Sequence, residues 1–378
     1  QERLYIKGQW QEGIIPDFSL SPADRKEMQA FLKHMQQFRD AKGEDGKYAF
    51  TFPSVESSQD PAYLALDQMN MQQWLKLQGY QSEALHWYCD YCCRDDFGMS
   101  YSQTSAWAGI HYFAARKGKA ANAPAQSVLT WPEGNDWLVQ QLRAPIQAHI
   151  HTNAMVLQVQ LQQNEVWVDY LQLSNNQVNR IVAKQCIIAT PQYVNTRILP
   201  ELSSRNDLIK AICNYQPWMV ANLSLPKPIE RNGSGLSWDN VLYQGKGLGF
   251  VNATHQHTQV VQSQVNLTYY LPLTGQSASI ERQQAATRSY EDWLSIVYED
   301  LKMVYPKIDQ QLLHAEIWVW GHGMIGPTPG YWSSNQLKQL KMPIENKLFF
   351  AHTDLAGISV FEEAFYQGIS AAKQMLAI

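Results

Sequence analysis

Three side chains in the second half of the sequence have the chemistry of a substrate site. His322 stands between Gly321 and Gly323, so its ring can project and the backbone can approach a ligand closely. Trp320 directly precedes this group, and His255 lies further upstream. An imidazole exchanges protons near neutral pH, and an indole offers a broad apolar surface. We predict that His322, Trp320 and His255 lie near a substrate; a hydrogen-bonded structural role is the alternative for His322.

The same glycines imitate a nucleotide-binding loop. Residues 321–326 read G-x-G-x-x-G directly after the apolar stretch 317–320. That motif binds a pyrophosphate because a helix N-terminus follows it and points free N–H groups at the ligand. Here Pro327 and Pro329 follow, and no helical pattern begins. The sequence therefore predicts a Gly/Pro-rich turn that exposes His322 beside a pocket, and no phosphate loop.

The cysteines do not predict a metal site. Cys89 and Cys92 form a C-x-x-C, but the sequence offers no second pair to complete a tetrahedral zinc site. Cys89, Cys92 and Cys93 recur at helical spacing with Leu85 and Tyr88. Buried thiols behave as small apolar groups, so we interpret this segment as the buried face of a helix.

Composition excludes some partners. The 378 residues are 45% hydrophobic and 17% charged, which is typical of a globular chain of one large or two interlocked domains. The net charge is −4 with no basic cluster, so nucleic acid is not an expected partner. No apolar run reaches the roughly 20 residues that span a bilayer. We expect a soluble protein, in the cytoplasm or, if an export signal has been removed, in the periplasm.

Periodicity predicts a helical first part and a mixed second part. Helices are predicted at 22–38, 67–79, 82–93 and 104–116, followed by a small-residue linker at 117–127. A short strand and helix (128–131 and 135–143) precede a predicted meander (149–151, 156–161 and 166–173) and an apolar strand (186–190). Further on, we predict helix at 192–212, strands at 218–225, 248–254 and 265–273, a long helix at 285–303 and a strand at 317–320. The fold class is therefore mixed α/β.

The C-terminal segment combines a strand, a short loop and a helix. Residues 347–351 form an apolar strand, and an amphipathic helix begins near Val360, with Ser359 as its predicted N-cap. The N–H groups and the positive dipole end of such a helix stabilise negative charge on a bound ligand. This order of elements therefore predicts a binding site for an electron-rich ligand.

At these residues the chain resembles the C-terminal FAD motif of the flavin-containing amine oxidase, phytoene desaturase and protoporphyrinogen oxidase superfamily. In that motif an apolar strand leads to an acidic residue and then to a helix with small residues. The resemblance implies FAD as cofactor, with Phe361 donating its N–H towards the flavin O2 and Glu363 standing where the family usually has glycine. The C-terminal cofactor-binding residues it implies are Asp354, Gly357, Ser359, Val360 and Phe361.

Two earlier segments extend the resemblance to about residues 128–378. Pro132 and Gly134 match a P-x-G-G loop beside the flavin, and the backbone at Val156 matches the strand that holds the adenine. The most similar branch is an uncharacterised bacterial one. The implied architecture is a partial FAD-binding Rossmann-like domain interleaved with a substrate domain of antiparallel sheet and helices. Its predicted parts are a mainly helical part of the substrate domain (1–127), an FAD-domain segment (128–191), the remaining substrate domain (192–345) and an FAD-domain strand and helix (346–378).

The superfamily also has a G-x-G-x-x-G turn that binds the ADP half of FAD, and none precedes residue 128 here. We therefore expect the ADP-binding segment to be absent from this sequence and FAD to be held weakly or not at all; the alternative is that a separate chain or residues outside this sequence supply that segment.

The resemblance implies an FAD-dependent oxidoreductase that oxidises a C–N or C–H bond of a small, largely apolar substrate. No lysine matches the one that many amine oxidases place against the flavin N5, and Val360 replaces one wall of their aromatic cage. These differences favour desaturase-like or other C–H or C–N oxidation over plain primary-amine oxidation. An FAD-dependent isomerase or mutase and a non-catalytic binding protein without flavin are the alternatives.

Overall fold

Strands and helices alternate along the computed structural model, which describes residues 2–118, 121–122, 129–226, 233–255 and 263–377. The strands are β1 (Glu2–Ile6), β2 (Gln9–Glu12), β3 (Ala154–Gln162), β4 (Glu165–Gln172), β5 (Gln177–Ala183), β6 (Cys186–Ile188), β7 (Tyr215–Pro226), β8 (Asp239–Leu242), β9 (Phe250–Asn252), β10 (Gln264–Pro272), β11 (His314–Ile325) and β12 (Leu348–Phe350). The helices are α1 (Pro22–Asp40), α2 (Pro61–Leu64), α3 (Met71–Leu77), α4 (Glu83–Phe97), α5 (Ala106–Ala114), α6 (Asp136–Arg143), α7 (Gln192–Ile198), α8 (Ser203–Ile212), α9 (Ala278–Thr287), α10 (Tyr290–Leu301), α11 (Ile308–Gln311), α12 (Asn335–Leu340) and α13 (Phe361–Leu376). The mixed α/β class is confirmed.

A mixed sheet of seven strands, counted within the described residues, supports the second half of the chain. Its order is β11-β7-β10-β9-β8-β1-β2, with β1 parallel to β8 and the other neighbours antiparallel. Along β7, buried side chains alternate with less buried ones, as expected for a strand between two layers. The buried set, which includes Met219, Ala221 and Leu223, packs against Trp293, Val297 and other residues of α10.

The first residues correct one sequence prediction. We predicted a mainly helical layer and no sheet before the linker, but β1 and β2 join the large sheet. β1 pairs with β8, so Leu4 lies beside Val241, a residue more than 200 positions away. Local periodicity cannot show such a pairing. Most of the linker predicted at 117–127 lies outside the described residues.

The helical layer itself is confirmed. Ser21 caps α1 through a capping box with Asp24, and Pro22 occupies the first helical position. α1, α3, α4 and α5 pack into one apolar core that includes Cys89, Cys92 and Cys93. Burial raises the pKa of these three thiols, as expected for apolar core positions.

A second, smaller group of strands lies beside the large sheet. β6 pairs in parallel with β12, and β3, β4 and β5 form an antiparallel meander. The strand predicted at 149–151 is wrong: Ala144–His149 is a 3-10 turn, and the third strand of the meander is β5. β5 includes Val178, Ile181 and Val182, which favour a strand, but we predicted no element for this segment. Of the strand predicted at 128–131, residue 128 lies outside the described part and 129–131 contain no strand.

Two predicted boundaries in the second half are also corrected. The helix predicted at 285–303 is two helices, because Ser289 begins α10 with its own capping box to Asp292. The Gly/Pro-rich turn predicted after Trp320 starts later than expected, since β11 continues to Ile325. Its pairing with β7 shifts register between Trp320 and Met324, which marks a β-bulge.

The buried carboxylate of Asp300 ties α10 to the large sheet. It accepts hydrogen bonds from the backbone N–H of Lys246 (2.9 Å) and Gly247 (2.8 Å) and from the hydroxyl of Tyr269 (2.8 Å). We expect Asp300→Ala to lower the free energy of unfolding by about 1.5–3 kcal/mol, because buried donors lose a charged acceptor. Urea unfolding followed by circular dichroism measures this change. The control is Asp207→Ala at an exposed carboxylate, and an equal loss of stability in both variants would contradict the role of Asp300.

Candidate functional site

A cavity of about 340 Å³ lies where the end of β11 meets the loop before α13. Its lining comes from separate segments of the chain, namely Asn135, Pro191, Tyr215, His322, Gly323, Met324, His352, Thr353, Asp354, Ser359, Val360, Phe361 and Ala364. The volume is at the lower end of the range of small-molecule sites, roughly 300–1,000 Å³. The cavity therefore has room for a ring system, but not for a whole dinucleotide.

The N-terminus of α13 opens into this cavity. Val360, with φ −122° and ψ 158°, is the N-cap, one residue later than the predicted Ser359. Among the described residues no side chain caps this helix, while Ser359 Oγ accepts the N–H of Ile325 at 3.4 Å. The first N–H groups of a helix have no intrahelical acceptor, and α13 adds the dipole of 16 residues. This end of the cavity is built to accept negative charge.

Asp354 positions the loop beneath that helix. Its carboxylate is buried, and Oδ2 accepts the backbone N–H of Gln192 at 2.7 Å and the hydroxyl of Tyr215 at 2.6 Å. The other oxygen, Oδ1, lies 3.0 Å from Nδ1 of His352. Burial and then the charge of Asp354 raise the pKa of Tyr215, so this phenol stays protonated as a donor. Asp354 lines the cavity, and the contacts of its carboxylate described above are all with protein groups.

Gly357 gives the same loop its shape. Its φ is +74°, and a Cβ atom at this position would lie 2.7 Å from the ring of Tyr331. The hydroxyl of Tyr331 donates to the carbonyl of Asp354, and the indole N–H of Trp332 donates to the carbonyl of Ala356 at 2.9 Å. Gly357 itself is outside the cavity lining, so its structural role is to let the loop pack against Tyr331.

His322 is the one predicted catalytic residue that lines the cavity. Its ring stacks on Tyr193 at 4.4 Å between centroids and meets Tyr215 edge-on at 5.6 Å. Partial burial and then the nearby Arg282 lower the pKa of His322 below its usual 6.5. The ring is therefore neutral at pH 7, and one face of it stays accessible to a ligand.

Trp320 and His255 lie outside the lining. Trp320 is 55% exposed on the edge strand β11 and stacks on Trp318 at 6.5 Å. His255 lies 6.2 Å from Trp238, beyond the end of β9. The structure thus separates the three predicted catalytic side chains, and the roles of Trp320 and His255 stay predictions.

The remaining predicted cofactor residues follow one side of the cavity or lie beyond it. Pro132 and Gly134 are exposed, and Gly134 has φ +63°. They directly precede Asn135, which does line the cavity. Val156 is 38% exposed on β3 and is not part of the lining. These three assignments also stay predictions.

Several lining residues were not among the predicted site residues. Asn135, Tyr215 and Thr353 are examples, and only the packing of distant segments brings them together. Asn135 follows the glycine of the P-x-G-G-like loop and Thr353 lies in the loop of the C-terminal motif, whereas Tyr215 belongs to no motif.

The residues present fit the flavin edge. Glu363, where the family usually has glycine, turns away from the cavity, and its Oε1 accepts the N–H of Ser54 at 2.5 Å. Burial raises the pKa of this carboxyl. The larger side chain therefore does not fill the space in front of α13, which Ser359, Val360 and Phe361 leave open for a ring with a negative edge.

The described part of the chain has neither a metal-binding cluster nor a helix that could span a membrane. No group of three or more His, Cys, Asp or Glu side chains there could hold a metal ion. No helix among those residues has the length and apolar character needed to cross a membrane.

The lowered pKa of His322 predicts a pH dependence. An unfolded histidine takes up a proton near pH 6.5, whereas His322 resists protonation, so this residue makes the fold less stable as the pH falls below 6.5. We expect the NMR titration of the His322 ring to have its midpoint below 6.5. Arg282→Gln should move the midpoint upwards, and Arg25→Gln at an exposed remote pair should not. A midpoint at or above 6.5 in the unmodified protein would refute the prediction.

Similarity to known proteins agrees with this geometry. A family model described as flavin containing amine oxidoreductase matches residues 10–376. Cyclohexylamine oxidase from Brevibacterium oxydans IH-35A has 15% identity and a TM-score of 0.66, with 100% of this chain aligned to 79% of that one. Putrescine oxidase, wild type bound to putrescine, has 14% identity and a TM-score of 0.72, with 100% of this chain aligned to 81% of that one.

A third solved structure is that of an enzyme named as an isomerase. The CLA-producing fatty acid isomerase from P. acnes has 12% identity and a TM-score of 0.63, covering 99% of this chain and 79% of its own. No curated protein sequence matches the chain. At such identities the structures establish the shared fold alone, while the family model covers nearly the whole chain. The chain therefore belongs to the flavin-containing amine oxidoreductase family, whose members use FAD.

Proposed function

We propose that this protein oxidises a C–N or C–H bond of a small, largely apolar substrate with FAD as its cofactor. The observation that carries the proposal is the uncapped N-terminus of α13, which opens into the cavity of about 340 Å³. Bound FAD supplies the hydride acceptor, while the protein supplies orientation and electrostatics. Family membership supports the redox class of the reaction.

The cofactor ring would lie with its N1/O2 edge at α13. Phe361 would hold that edge through its backbone N–H, while Ser359 and Val360, whose own N–H donates to the carbonyl of Ile358 at 3.1 Å, would border it. Asp354 and Gly357 would act by holding the loop beneath the ring in place, since their contacts are to Tyr215, Gln192 and Tyr331. Pro132, Gly134 and Val156 would contact more distant parts of the same cofactor.

The substrate would occupy the part of the cavity next to β11. Met324, Val360 and Phe361 make this wall apolar, and His322 is the ionisable group nearest to it on β11. A neutral imidazole can accept a hydrogen bond or a proton from a substrate amine, which a protonated ring cannot do. His322 would therefore orient the substrate or remove its proton, while Trp320 and His255 would act further out.

Anaerobic reduction of bound flavin tests the redox reaction. The purified protein is kept in excess FAD, because weak retention is expected, and is mixed with a panel of small apolar amines, cyclohexylamine among them, and nitrogen-free hydrocarbons. We expect the visible flavin absorbance to bleach faster than that of free FAD with at least one member of the panel, with reoxidation on admission of oxygen. Flavin that no amine and no nitrogen-free compound reduces faster than free FAD would refute the proposal.

Isomerisation is the second candidate, because a fatty acid isomerase shares the fold with a TM-score of 0.63. An isomerase returns its cofactor to the starting oxidation state in each cycle. Conversion of an unsaturated fatty acid to an isomer of equal mass, with no net bleaching of the flavin, would favour this reaction. Product formation is followed by mass spectrometry and NMR.

A proline substitution isolates the proposed contact at α13. Phe361→Pro removes one N–H, yet proline suits the first position of a helix, and the extended backbone of Val360 suits the position before proline. Phe361→Ala is the control, because it keeps the N–H and loses the same ring. An N–H donated to a charged acceptor contributes about 1.5–3 kcal/mol. We expect Phe361→Pro to hold FAD more weakly, and to lower its reduction potential further, than Phe361→Ala. Equal values in the two variants would contradict the contact.

A further inference from the structure

A second cavity, of about 540 Å³, lies between α4, the segment after β10 and the helices α9 and α10. It shares no lining residue with the cavity at α13. We propose that it binds a small zwitterion, a molecule that carries one ammonium group, one carboxylate group and an apolar body. This is the chemistry of a free amino acid with an apolar side chain, and the site is separate from the proposed oxidation.

Two arginines supply the positive charge of this cavity. Arg94 donates from Nη2 to the carbonyl of Lys246, and its buried Nε has no hydrogen-bond partner in the described structure. Arg288 lies over the ring of Trp293 at 4.4 Å. Within the described part of the chain, neither guanidinium pairs with a carboxylate. Lys246, by contrast, is neutralised by Glu299. A ligand carboxylate would find planar donors that protein acids leave free.

Two carboxylates supply the negative charge. Asp90 lies four residues before Arg94 on α4, a spacing that usually allows an ion pair. The two do not pair, because Oδ1 of Asp90 accepts the N–H of Tyr101 at 3.0 Å while Arg94 reaches towards Lys246. Glu281 lies in the first turn of α9. No Lys or Arg in the described ranges pairs with Asp90 or Glu281, so unneutralised charges of both signs face one space.

The floor between these charges is apolar and firmly held. Leu271 and Leu273 are buried, and Ile296 lines the same cavity. The N–H of Leu273 donates to the carbonyl of Pro217 at 3.0 Å, which fixes the end of β10 against β7. A polar ligand without an apolar part would leave this floor in contact with water. A branched aliphatic side chain would cover it and reach the charged groups with its other end.

Calorimetric titration with three related probes tests the proposal. Leucine carries both charges, 4-methylpentanoate keeps the carboxylate and the aliphatic body, and 3-methylbutylamine keeps the ammonium and the aliphatic body. We expect leucine to bind at least about tenfold more tightly than either analogue, because each lost charge costs one charge-assisted contact. The measurement needs no flavin, so its outcome is independent of the proposed oxidation.

Charge-removing variants assign the binding to this cavity. Arg94→Gln should weaken leucine and 4-methylpentanoate about tenfold and leave 3-methylbutylamine unchanged, whereas Glu281→Gln should weaken leucine and the amine. Arg288→Gln replaces Arg94→Gln if the latter fails to fold, and Arg25→Gln is the matched control at an exposed remote pair. The proposal would be overturned if the arginine and Glu281 variants bound leucine as tightly as the unmodified protein. Equal binding of the three probes, or the absence of saturable leucine binding at millimolar concentration, would also overturn it.

Discussion

The geometry of the site depends on one buried carboxylate. Asp354 accepts hydrogen bonds from Gln192, which follows β6, and from Tyr215, which begins β7. The loop that contains Asp354 also receives the hydroxyl of Tyr331 and the indole of Trp332. These contacts join the small parallel sheet, the large mixed sheet and the start of α13. Because a buried donor without an acceptor costs about 1–3 kcal/mol, each contact holds the loop in one conformation.

That fixed loop presents the N-terminus of α13, which has no side-chain cap, to the cavity. Ser, Thr, Asp and Asn are the preferred N-cap residues, whereas α13 has Val360 there. The acidic residue Glu363 of its first turn is not a substitute, since its Oε1 accepts the N–H of Ser54. The N–H groups are thus left to a ligand, and the dipole favours one with negative charge. The same departure from the family pattern, glutamate for glycine, leaves the cavity open because its carboxylate has a buried partner elsewhere.

The large sheet contributes to the cavity through a β-bulge in β11. β11 shifts its register against β7 between Trp320 and Met324, so His322 lies at a bulge and not in a regular ladder. A bulge redirects side chains, and here it separates His322, which lines the cavity, from Trp320, which remains on the exposed edge. Gly323 allows this arrangement, because a Cβ atom there would lie 2.7 Å from the ring of Trp218. Of the glycines that imitate a phosphate loop, Gly323 therefore serves close packing within a strand.

From the sequence alone, most local elements could be predicted and, by resemblance, the cofactor of the family. Capping residues and apolar spacing were enough for α1 and α4, and the strand, loop and helix order at 347–376 was enough to predict an anion-accepting helix end and, by resemblance, FAD. Only the tertiary structure decided which residues share the cavity. Asn135, Tyr215 and Asp354 meet through pairings between distant segments, as β1 does with β8, and no local pattern encodes such pairings. The sequence also did not show where the side chains of His322 and Glu363 point. The first direction follows from the bulge in β11, and the second from the hydrogen bond that Glu363 accepts from Ser54.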